Sequence, residues 1–96
     1  MASIPMVLHQ IRRARRRAER PPNVGDYRQY QGEYRVILRA VKDSAGEKPM
    51  AELGEWAAAK TQRDQRLPPP AALRARARQV LDDRGIEVPP ALRGSS

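Results

Sequence analysis

Tyr27, Tyr30, Tyr34, Ile37, Leu38, Val41 and Ala45 recur at intervals of three, four and seven residues, which on a 3.6-residue period makes one continuous apolar stripe. The spacing predicts an amphipathic helix. Asp26 with Gln29 three residues later forms a capping-box start, and Gly46 supplies the stop. Gly32 falls inside this helix but off the stripe, where it costs about 1 kcal/mol relative to alanine.

An earlier pattern runs from about Ile4 to Glu19, with Ile4, Val7, Leu8, Ile11, Ala14 and Ala18 at helical spacing and Ser3 ahead of Pro5 as its start. Pro21 and Pro22 break it, and residues 23–25 read as a linker. A third pattern begins at Pro49 and places Met50, Leu53, Trp56 and Ala57 on one face. Its acids, Glu52 and Glu55, lie near the positive end of the helix dipole, and Lys60, Arg63 and Arg66 near the negative end. Pro68, Pro69 and Pro70 end it. The last pattern starts at Pro70, carries Leu73, Ala77, Val80 and Leu81, and stops at Gly85, with Ile86 as the apolar residue after the cap. No alternating strand pattern of useful length and no internal repeat appears. The expected architecture is all-α: an antiparallel three-helix bundle over residues 26–86, preceded by a basic amphipathic N-terminal helix or arm in residues 1–25 and followed by a Pro-containing flexible tail in residues 87–96.

Composition limits that bundle. The chain is 40% hydrophobic, but much of this is alanine, with no Phe, one Trp and three Tyr, so the core is small and its stability marginal without a partner. Charge is uneven as well. Residues 1–20 hold six arginines against Glu19, a net +5 of the chain's +8, whereas residues 21–66 are almost balanced, with eight bases against seven acids. Such an arm attracts nucleic acid, anionic lipid or an acidic protein surface. Arg12, Arg13, Arg15, Arg16, Arg17 and Arg20 could each displace a counterion from a phosphate backbone, which is the basis of a nucleic-acid-binding reading. The same segment, Arg-rich and free of acid until Glu19, also fits an organelle transit peptide, and it fails as a secretory signal because its arginines come after the apolar run. No stretch approaches a membrane span. Cysteine is absent, which removes disulfides and thiolate chemistry.

Candidate chemistry is sparse. His9 has no second metal ligand at a helical offset, and the adjacent Asp82 and Asp83 point about 100° apart on a helix, too far to act as a general acid and base pair. Glu52 and Glu55 are one turn apart with no third ligand. There is no Gly-rich phosphate loop and no GxSxG. The residues therefore read as non-enzymatic, with no catalytic or metal site. Arg74 and Arg78 form a smaller basic strip on the last helix. A helix-turn-helix is disfavoured, because Arg66-Leu67-Pro68-Pro69-Pro70 stands where a tight turn and recognition helix should come.

The stretch Glu33-Tyr34-Arg35-Val36-Ile37-Leu38-Arg39-Ala40 resembles the signature of the LYR-motif family, small basic mitochondrial proteins built on three helices. Tyr34 and Arg35 match the motif directly, and Ile37, Leu38 and Arg39 match the apolar pair and basic residue on its C-terminal side. Leu53 with Glu55-Trp56-Ala57 is similar to the family's second helix, and Leu73-Arg74 falls where its third begins, so the likeness covers residues 30–86. Glu33 replaces the family's leucine, Thr61 stands where phenylalanine is usual, and the proline triplet is atypical. The resemblance implies an accessory or assembly subunit of the mitochondrial matrix that binds acyl carrier protein and docks on a larger complex. It brings no cofactor beyond the acyl-phosphopantetheine of that partner. Tyr34 would then anchor the first bundle helix, and Arg35, Arg39 and Lys42, with Lys60 and Arg63, would meet the acidic partner. A core poor in aromatic bulk could also leave room for an acyl chain, at roughly 0.8 kcal/mol per buried methylene. Without the resemblance, the expectations are a cytoplasmic location and either a basic nucleic-acid-binding protein, DNA-associated or of small ribosomal-subunit type, or a structural peg in an assembly.

Overall fold

In the computed structural model, which describes residues 2–17 and 25–93, every apolar stripe becomes a helix. They are α1 (Ile4–Arg17), α2 (Gly25–Ala45), α3 (Glu47–Asp64) and α4 (Pro70–Asp83), followed by a 3-10 turn at Pro90–Leu92. No strand occurs among the described residues.

The ends follow local chemistry. At the start of α1 the Ser3 hydroxyl accepts the Met6 N–H at 3.3 Å and its carbonyl accepts the Val7 N–H at 3.0 Å. Gly46 alone separates α2 from α3. Its N–H closes α2 on the Lys42 carbonyl at 2.8 Å, and its φ of 97° with ψ of −179° is a conformation that only glycine adopts readily. α4 opens with Pro70 as its first residue and closes on a Schellman motif, in which Ile86 N–H reaches the Leu81 carbonyl at 2.9 Å and Gly85 N–H the Asp82 carbonyl at 3.0 Å. The helix dipole is favoured in α1 by Arg15, Arg16 and Arg17 in its last turn.

All four helices share one core. Tyr34, Ile37, Leu38 and Val41 of α2 meet Met50, Leu53 and Ala57 of α3 and Leu73, Ala77 and Leu81 of α4. The three-helix bundle with a separate arm is therefore corrected to a four-helix arrangement. α1 contributes Ile4, Val7, Leu8 and Ile11 to that core, none more than 7% exposed, and lies against both α3 and α2. At about 1.5–3 kcal/mol per large side chain, these four are worth roughly 6–12 kcal/mol of gross transfer free energy, as large as the net stability of a whole small domain. A core with so little aromatic bulk draws in the only remaining apolar stripe. The approach of α1 to α3 is close enough that a Cβ at Gly54 would overlap Cγ1 of Val7, so any larger residue there forces Val7 to shift.

The tail is corrected too. Residues 88–93 double back over α2 and α4, with Leu92 fully buried and its carbonyl accepting Arg78 Nη1 at 2.8 Å. Tyr34, the sequence's most motif-like residue, is fully buried and donates its hydroxyl hydrogen to the Pro68 carbonyl, tying α2 to the loop between α3 and α4.

Candidate functional site

The side of α2 opposite its core stripe holds a concavity with an apolar lining. Arg35 and Arg39 stand one turn apart and exposed, and Val36, between them in sequence, is 55% exposed. The docked tail supplies the facing wall. Arg35, Val36, Arg39 and Ala40 together with Pro89, Pro90 and Ala91 line a cleft of about 440 Å³, with Asp43 and Ser44 at its far end. A second cleft of about 330 Å³ adjoins it through Val36 and Ala91 and runs toward Gln29. There Arg74 pairs with Glu33 at 3.2 Å, joining α4 to α2 at the edge of the groove. The arrangement offers an apolar floor with two guanidinium groups beside it, suited to an acidic, partly apolar surface.

The six residues expected to meet a partner are divided among different places. Arg35 and Arg39 share the α2 cleft. Tyr34 has no surface to offer, and its ring lies 5.9 Å from that of Tyr30. Lys42 is half-buried near the end of α2 and lines neither cleft. Lys60 and Arg63 lie at the end of α3, both engaged by Asp64, at 3.2 Å and 3.3 Å. Hydrogen bonds from Lys60 and then Arg63 hold the Asp64 carboxyl below its usual value of 3.8. Lys60 also stands 5.8 Å from the centre of the Trp56 ring, and Arg76 stands 5.7 Å from it.

Four of the six arm arginines, Arg12, Arg13, Arg16 and Arg17, are exposed on the outer side of α1. Arg15 is only 8% exposed, because it shares the core-facing stripe with Leu8 and Ile11. Arg20 lies outside the described residues. Arg12 stacks over the Tyr27 ring at 5.4 Å, and a groove of about 270 Å³ between α1 and α3 is lined by Gln10, Arg13, Arg17, Glu55 and Gln62.

The smaller basic strip is structural: Arg74 pairs with Glu33, and Arg78 holds the tail. Glu52 pairs with Arg84 at 2.6 Å, while Glu55 faces the α1 groove. Among the described residues no group of three or more His, Asp or Glu stands close enough to hold a metal, and no helix is long and apolar enough to cross a membrane. Sequence reasoning does not find Val36, Glu55 or the Pro89–Ala91 wall. Val36 carries a readable signal, since it is a β-branched apolar residue set off the stripe between two arginines. The tail carries none.

Compared with known proteins, the chain matches no family model, no curated protein and no solved structure.

Proposed function

We propose that this protein is a non-enzymatic helical adaptor that grips an acidic protein partner on the outer face of α2 and joins it to a larger complex. The observation that supports this most directly is the pairing of Arg35 and Arg39 with exposed Val36 at one cleft. Guanidinium groups take carboxylates bidentately, and an apolar side chain of the partner can pack on Val36, Ala40 and the prolines of the tail. The likeness of residues 33–40 to the LYR motif points to acyl carrier protein as the partner, whose acidic surface has the right sign, and to the mitochondrial matrix as the location. In that role Tyr34 acts from within the core, fixing the pitch at which α2 presents Arg35.

The reading keeps α1 in the working protein, since its side chains complete the core. Deletion of the N-terminal segment is for that reason a poor test of partner binding, and surface substitution is the better one. Co-expression with acyl carrier protein should yield a complex that survives purification. Arg35→Glu with Arg39→Glu should weaken it roughly a hundredfold or more, because like charges placed opposite carboxylates cost several kcal/mol. Absence of bound acyl carrier protein, or indifference of the complex to this double reversal, rejects the reading.

A further inference from the structure

Outside α1 five cations are matched to acids, Lys60 and Arg63 to Asp64, Arg74 to Glu33, Arg84 to Glu52, and Arg93 to Glu87 at 3.9 Å, while others such as Arg28, Arg35, Arg39, Lys48 and Arg66 make no ion pair among the described residues. What sets α1 apart is the density of its unpaired cations. The helix contains no acid, and Arg13, Arg16 and Arg17 make no ion pair among the described residues. Arg12 and Arg16, like Arg13 and Arg17, are four residues apart, about 6 Å along the axis, and the four guanidinium groups spread over an arc of about 140°.

We infer that the outer face of α1 is a binding surface for the phosphate backbone of double-stranded nucleic acid. Three observations select that occupant. α1 is fixed by the burial of Ile4, Val7, Leu8 and Ile11 and by the close approach at Gly54, so its arginines form a rigid double row. The same burial removes the apolar side with which an amphipathic helix would enter a bilayer, which disfavours lipid. Tyr27, the aromatic ring nearest these arginines, is covered by Arg12, leaving no stacking platform for single-stranded bases. What remains is charge at regular spacing with one exposed apolar side chain, Met6, on the same face, too little to anchor the helix in a bilayer; such a surface matches a duplex and carries no base readout. Glu55, beside Arg13 and Arg17, offsets part of the charge and keeps the attraction moderate. This surface shares no residue with the α2 cleft, so either assignment can fail without the other.

The test is binding of a short labelled duplex of random sequence to the full chain, measured against salt. Three to four neutralised phosphates give a slope of log K on log salt of about −2.7 to −3.6. Replacing Arg13, Arg16 and Arg17 together by Gln should bring the slope to about −1 and lower affinity at low salt roughly a hundredfold. A second variant, Lys48→Gln with Arg66→Gln and Arg93→Gln, removes the same net charge from exposed sites elsewhere and should leave the slope near its original value. Both variants are first checked for unchanged helical content and cooperative unfolding. Equal losses in the two variants would show that net charge alone acts, and would overturn the inference. So would an unchanged slope in the α1 variant, tighter binding of single strand than of duplex, or tighter binding per phosphate to phosphatidylserine vesicles.

Discussion

α1 and α2 each put one side into the common core and arginines on the other, yet their outer faces differ in kind. On α1 four exposed arginines stand on the outer side of the helix, and the groove beside it is lined mostly by polar side chains. On α2 two arginines share a cleft with Val36, and the returning tail forms the opposite wall. Charge on a polar surface attracts any polyanion of matching spacing, whereas charge beside a shaped apolar floor selects a partner by fit. The lesson is that net charge, concentrated near the N-terminus, is a poor guide to where specific recognition occurs.

The largest expected effect comes from removing α1. A chain beginning at residue 25 loses four buried large side chains, roughly 6–12 kcal/mol of gross burial, and should show no cooperative thermal transition by circular dichroism. A truncated chain that melts like the full one would return α1 to the status of a detachable arm. The same logic predicts that intact mass of the natural protein includes residues 4–17, contrary to a cleaved transit segment.

Next is the wall of the α2 cleft. Leu92→Ala empties a fully buried site and should cost about 2–4 kcal/mol, measurable by urea unfolding. Releasing the tail should also weaken the acidic partner at α2 while leaving the salt slope of duplex binding unchanged. Equal damage to both would mean that the two faces are not separate sites.

Much of the fold is legible in the sequence, for identifiable reasons. Ser3, Gly46, Pro70 and Gly85 set helix ends through their own backbone and side-chain chemistry, so they can be read locally. The stripes of α2 and α4 are equally plain. The pattern cannot say which stripes share a core. Ile4 to Ile11 reads the same whether it faces lipid, water or α3, and although Gly54 marks the close approach, Gly32 is equally mid-helix with open space around it, so the glycine alone does not tell. Arg15 groups with its neighbours in sequence because composition ignores the side of the helix on which a residue falls. Leu92 sits just beyond two prolines, and nothing in the local pattern distinguishes a returning tail from a solvated one.

Gly54→Ala tests the seat of α1 without deleting it. The new methyl group overlaps Val7, and overpacking of this sort costs about 1–3 kcal/mol, or roughly 4–8 °C in Tm for each kcal/mol in a domain of this size. Val7→Ala in the same chain should recover part of the loss, because it removes the atoms that clash. A fall in Tm that Val7→Ala deepens would place the strain elsewhere.

The smallest effect is expected at the third basic cluster, where Lys60 and Arg63 are held by Asp64 and belong to neither face. Their hydrogen bonds keep the Asp64 carboxyl below 3.8, so whatever stability the cluster provides is present above the unfolded value and is lost as pH falls through the lower folded value. Asp64 is exposed, and water and salt screen the pair. Asp64→Asn should therefore leave Tm nearly unchanged at neutral pH and slightly flatten its decline as pH falls below 3.8. A large loss at neutral pH would show that this cluster bears on the loop that receives Tyr34, and would make it a third element coupled to the α2 face.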